Sequence, residues 1–135
     1  MQSPDPMRPS ITLGRDEHRQ LLIVAMSAMG HTADDSDYMH HELDRAAVVA
    51  DRSLPRDVAR VGSLVTYHVD GGLPRTVTLS YPDDADTTLG RISVMSPVGA
   101  ALIGLRPGQS ITRMGWDGAF ARFSVLSVIP PEDHK

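Results

Sequence analysis

The chain contains no cysteine, which excludes disulfide staples, thiolate zinc sites and thiol redox chemistry together. Aromatic residues make up only 4% of it, as one Trp, two Phe and three Tyr, too few to line a deep aromatic pocket. Long apolar runs are missing: the longest aliphatic stretch, Leu21 to Met26, falls far below the ~20 residues that span a bilayer. The N-terminal MQSPDPMRPS has no hydrophobic signal core. No membrane partner is expected, and a cytoplasmic location follows by default. An excess of positive charge is lacking too, the formal net charge being −4. A free-standing DNA or RNA binder needs a basic stripe to neutralise phosphates. Direct sequence-specific nucleic-acid binding is therefore not expected, and any nucleic-acid link should run through a protein partner.

What remains is ordinary for a globular chain: 135 residues, 41% apolar and 22% charged, which suits one core with an appendage. The most legible stretch is Gly90 to Thr112, GRISVMSPVGAALIGLRPGQSIT. Ile92 and Val94 alternate across Arg91–Met95, the period of a half-buried strand. Ser96 then supplies an N-cap and Pro97 the first helical position. Val98, Ala101, Leu102 and Leu105 follow at i, i+3, i+4 and i+7, one face of a helix that Arg106-Pro107-Gly108 ends. Ser110 to Met114 resumes as a strand.

Upstream, residues 1–9 read as a loose tail with Pro4, Pro6 and Pro9. Ser10 to Leu13 is either a short strand or a lead into a helix. Asp16 to Met29 predicts that helix, stopped at Gly30, with Leu21, Leu22, Ala25, Met26 and Met29 on its apolar face. After the polar turn GHTADDSD, Tyr38 to Asp51 predicts a second helix with Met39, Leu43, Ala46, Ala47 and Ala50 on one stripe. Two helices of about fourteen residues joined by a short turn form an antiparallel hairpin about 20 Å long. Arg52-Ser53-Leu54-Pro55 ends it. Strands are expected at Leu64–Val69, Thr76–Tyr81 and Ala119–Ile129, around turns at Asp70-Gly71-Gly72 and Gly115-Trp116-Asp117-Gly118. Val77, Leu79 and Tyr81 alternate against Thr76, Thr78 and Ser80, leaving one sheet face wet. The fold class is α+β: a tail (1–9), a helical hairpin (10–54), and a domain (55–131) with about five mostly antiparallel strands and one short helix.

The order strand, strand, strand-SPVGAALIGL-strand, strand, behind a helical hairpin, resembles the GreA/GreB/Rnk family of bacterial RNA polymerase secondary-channel factors. The run Ser93–Leu105 is similar to that family's S-P-(I/V)-G/A-x-x-L-(I/L)-G signature, and residues from about 10 to 130 can be laid on the family. The short hairpin and its Glu42-Leu43-Asp44-Arg45-Ala46 look most like the Rnk branch, regulators of nucleoside diphosphate kinase. The resemblance implies an FKBP-like C-terminal domain that docks on RNA polymerase at the rim of the secondary channel, with the strand-to-helix corner Met95, Ser96, Pro97 and Val98 at the docking surface. Met95 stands where Gre factors often carry a polar residue. In GreA and GreB the hairpin is long and its acidic tip helps hold a catalytic metal for transcript cleavage. Here Gly30 to Tyr38 resembles that tip loosely: His31 replaces its first acidic residue, while Asp34 and Asp37 match carboxylate positions. An arm of about 20 Å should fall short of the active centre. The implied function is thus a non-enzymatic regulator bound near the secondary channel, in a position to compete with Gre factors. Two alternatives stay open: a Gre-type cleavage factor, and an FKBP-like prolyl isomerase or peptide-binding module.

For the tip residues His31, Asp34, Asp35 and Asp37, the carboxylates serve either as oxygen ligands for a hard cation or as caps favoured by the positive end of a helix dipole. The spacing lacks the ligand count and glycine of a calcium loop. His40 and His41 point to different helix faces and do not make an i, i+4 zinc pair. Gly99 to Gly104 has no lysine after it, unlike a phosphate-binding loop. No metal, cofactor or catalytic residue is expected, and the chain is expected to be a monomer or weak dimer.

Overall fold

A computed structural model describes residues 9–27, 31–114 and 119–133. The N-terminal tail up to residue 8, the helix stop at Gly30 and the turn at Gly115–Gly118 fall outside these. The first elements are β1 (Thr12–Gly14), α1 (Arg15–Met26), α2 (Ala33–Arg45) and β2 (Ala47–Val49). β1 and β2 pair in parallel, Thr12 opposite Ala47 and Gly14 opposite Val49, so the hairpin is a crossover whose two feet are hydrogen-bonded to each other. The first helix ends before Met29, at Met26, and the second runs Ala33–Arg45 rather than Tyr38–Asp51. It starts early because Thr32 and Asp35 form a capping box: Asp35 N donates to Thr32 Oγ1 at 3.1 Å and Thr32 N to Asp35 Oδ2 at 3.2 Å. It stops early because Ala47 N donates to the Ile11 carbonyl at 2.9 Å, and β-branched Val48 and Val49 suit the strand that follows. Ala47 and Ala50 are therefore not on the helical stripe.

The start of α1 carries a borrowed cap. Gly14 is its N-cap and has no side chain, but Asp51 Oδ1 accepts the Asp16 N–H at 3.2 Å. A Cβ on Gly14 would lie 2.3 Å from that same oxygen, so the glycine is what admits the carboxylate.

A five-stranded sheet follows: β3 (Leu64–Val69), β4 (Arg75–Ser80), β5 (Arg91–Ser93), β6 (Ser110–Met114) and β7 (Phe120–Ile129), in the order β5-β4-β3-β7-β6. Only the β4–β5 pair is parallel. Thr66 pairs with Ser127 and Tyr67 with Val125, leaving Leu126 as an extra residue in a bulge. The outer face is polar, with hydroxyl pairs Thr66–Thr76 at 2.9 Å and Ser110–Ser124 at 2.7 Å. The expected alternation on β4 fails at Ser80, which is buried and donates to the Ile92 carbonyl at 3.1 Å.

Helix α3 (Pro97–Leu102) sits on the inner face and is shorter than the apolar spacing suggests. Gly104 leaves it with φ +80°, and a Cβ there would lie 2.6 Å from Ile11 Cβ. The chain then pairs with residue 59, Gly104 N donating to Ala59 O at 2.7 Å and Ala59 N to Leu105 O at 2.8 Å. Ile11, Leu13, Leu21, Met39 and Leu43 from the hairpin side share one apolar cluster with Val65, Tyr67, Leu79, Leu102, Ile111, Phe123 and Val125. On α1, Leu21 and Ala25 are buried, but Leu22 and Met26, expected on the same face, are exposed.

Candidate functional site

The strand-to-helix corner is built by two serines. Ser96 Oγ accepts the Gly99 N–H at 3.1 Å, capping α3, and donates to the Ser93 carbonyl at 2.6 Å. Ser93 Oγ accepts the Met95 N–H at 3.0 Å. Gly99 is required here by close approach, because a Cβ would meet the Ser93 carbonyl oxygen at 2.0 Å. Beside the corner lies a cleft of about 420 Å³ lined by residues including Asp86, Arg91, Ile92, Ser93 and Ser96. Asp86 accepts from Thr88 N and Oγ1 at 3.0 and 2.6 Å. The Thr88 hydroxyl leads in holding its carboxyl below the ordinary range, and the Arg91 charge adds to this.

Of the four corner residues singled out in the sequence, Ser96 and Pro97 are half-buried, whereas Met95 and Val98 are buried at 0% and 7% exposure. The side chains of Met95 and Val98 therefore face the core. Any contact at this corner falls to Ser96, Pro97 and the cleft lining.

At the hairpin tip, Asp34 and Asp37 are exposed, while Asp35 is engaged in the capping box. His31 is half-buried and lines a cleft with Met26, Thr32, Ser36 and Asp37. Among the described residues no three His, Asp or Glu side chains converge to hold a metal ion. The tip and the corner are separate features.

Two carboxylates given no site role in the sequence are drawn in from solvent, Glu17 half-buried and Glu42 buried. Glu17 Oε1 accepts the Val61 N–H at 2.9 Å, joining α1 to the connector before β3. Burial pushes its pKa up to about 7, with Asp51 adding to the rise, against the Val61 hydrogen bond and the Arg60 charge. Tyr81, which feels the Glu17 charge, is itself raised to about 12, mainly by burial. Glu42 is 1% exposed. It accepts from Tyr38 Oη at 3.2 Å and pairs with Arg45, whose Nε and Nη2 both reach it, while Arg45 Nη1 donates to the Pro9 carbonyl at 2.6 Å. A signal for both was present, since Glu17 precedes Leu21 by one helical repeat and Glu42 adjoins Leu43 on the Met39 stripe. Tyr38 also carries the Arg113 guanidinium over its ring at 3.6 Å, tying α2 to β6.

Residues 54–130 match the family model described as "Transcription elongation factor, GreA/GreB, C-term". The chain is 42% identical over 77 residues to the "Regulator of nucleoside diphosphate kinase" of Escherichia coli (strain K12), covering 56% of this chain and 57% of that protein. It is 38% identical over 71 residues to "Transcription elongation factor GreA" of Roseiflexus castenholzii, covering 52% of this chain and 45% of that one. The matched region thus spans about half of the length of these relatives. Among solved structures, "Prokaryotic transcription elongation factor GreA/GreB from Nitrosomonas europaea" superposes with a TM-score of 0.69 at 30% identity, covering 90% of this chain and 99% of that one. With its sheet, its capped corner and over half its length accounted for by that model, the chain belongs to the GreA/GreB C-terminal family of transcription elongation factors.

Proposed function

We propose that this chain is a non-enzymatic regulator of transcription that binds RNA polymerase near its secondary channel and holds a short helical hairpin at the entrance. It would occupy the rim that longer Gre factors use and so compete with them. Family membership and the match to a regulator of nucleoside diphosphate kinase support the transcription role. The observation that carries the rest is arm length: α1 and α2 have 12 and 13 residues, about 20 Å at ~1.5 Å per residue. The docking contact in this proposal is the Ser96–Pro97 corner with its adjoining cleft.

Capture of core polymerase on the immobilised chain at low salt is the direct test, and no capture would sink the proposal. Ser96→Asp should abolish capture; if capture persists unchanged, the corner is not the dock. Exposed Asp34 and Asp37 favour one competing reading, a Gre-type cleavage factor. Adding the chain with magnesium to a backtracked complex distinguishes the two. Full-length transcript is expected, and rapid shortening that depends on Asp34 would replace regulation by cleavage.

A further inference from the structure

A groove of about 320 Å³ separates α1 from the turn after β4, with Gln20, Ile23, Val24 and Ser27 on one wall and Tyr81, Pro82, Asp83 and Asp84 on the other. It is distinct from the cleft at Ser96, which begins one residue later at Ala85. We infer that this groove is a docking site for a helical segment of a protein partner that presents arginine or lysine beside an aliphatic side chain.

On the α1 wall Ile23 is 56% exposed, and beside the groove on the same helix Leu22 and Met26 are 37% and 74% exposed. Three adjacent aliphatic side chains on one short helix mark a surface that binds something. The facing wall is acidic. Asp83 and Asp84 are exposed, and among the described residues neither side chain is in an ion pair. The nearby cation Arg91 reaches this wall through the backbone, its Nε donating to the Asp84 carbonyl at 2.9 Å, while its charge acts on Asp86. A long cationic side chain matches both walls at once, its methylene stem lying on Ile23, Pro82 and the Tyr81 ring and its head reaching the carboxylates. Phosphate-bearing ligands are repelled by the same carboxylates. The inference holds whether or not the Ser96 corner docks polymerase.

The test uses the full chain, isotope-labelled, titrated at low salt with a synthetic amphipathic helix of leucine and arginine and with its leucine–glutamate counterpart. Amide shifts are expected at Gln20, Ile23, Val24, Ser27 and Tyr81 to Asp84 with the arginine peptide only. Asp83→Asn with Asp84→Asn should weaken binding about tenfold, and Ile23→Ser about fivefold. Asp34→Asn with Asp37→Asn makes the same charge change at the hairpin tip and should weaken it less than about twofold. All these positions are exposed, so an otherwise unchanged spectrum certifies the fold. Equal loss from the two aspartate pairs would reduce the effect to bulk charge and overturn the inference. So would shifts at the groove on raising protein concentration without peptide, which would assign it to a second copy.

Discussion

Glu17 on the first helix accepts the backbone N–H of Val61, 44 residues away, at 2.9 Å. Its carboxyl is raised from an ordinary 4.5 to about 7, chiefly by burial. The folded state holds that proton more tightly than the unfolded state. Its contribution is therefore fully present below about pH 4.5 and is lost as pH rises to about 7, roughly 3 kcal/mol in all. Glu17→Gln keeps an acceptor for Val61 without the charge. The difference in urea stability between variant and parent should shift in the variant's favour across that window and stay level above it. Parallel curves from pH 4.5 to 8 would show that Glu17 does not titrate there.

The buried Glu42–Arg45 pair makes a sharper mutational case. Arg45→Ala takes the guanidinium away from a carboxylate at 1% exposure that Tyr38 Oη also reaches, and should cost about 3–5 kcal/mol. Replacing both residues by methionine should recover most of that loss. Equal losses for single and double variants would mean that the Arg45 contact to Pro9 dominates.

Three glycines separate steric from conformational demand. Gly99→Ala would put a Cβ 2.0 Å from a backbone oxygen, and Gly104→Ala combines φ +80° with a 2.6 Å approach to Ile11. Each should cost more than about 3 kcal/mol or prevent folding. Gly108 has φ +89° with open space around its Cβ position, so Gly108→Ala should cost only about 1 kcal/mol. Thermal denaturation of the three side by side tests the ranking.

At the hairpin tip, Asp35→Ala removes half of the capping box with Thr32 and should cost about 1 kcal/mol. Asp34→Asn and Asp37→Asn, at exposed positions, should each change stability by less than about 0.5 kcal/mol. A larger effect at Asp34 than at Asp35 would misplace the cap.

Local chemistry was readable wherever the causes lie within a turn or two of each other. β3 and β6 fall where alternation puts them, and α3 begins at Pro97 because Ser96 and Pro97 are adjacent cap residues. The same stretch, Ser93 to Leu105, also carried the family. Other features depend on partners distant in the chain. The second helix stops at Arg45 because Ile11 takes the Ala47 N–H, and α1 is capped by Asp51 through a gap that Gly14 leaves open. The resemblance put Met95 at a docking corner, but it is fully buried in the apolar cluster.

By itself the amino-acid sequence determined the succession of two helices, three strands, a short helix and two strands, together with the corner and the family, because caps, breakers and periodicity act over a few residues; the small β1–β2 pair was not in that reading. Only the tertiary structure decided which side of each element is covered. It turned Leu22 and Met26 outward and Met95 and Glu42 inward, since burial is settled by what packs from elsewhere in the chain and not by a residue's neighbours in sequence.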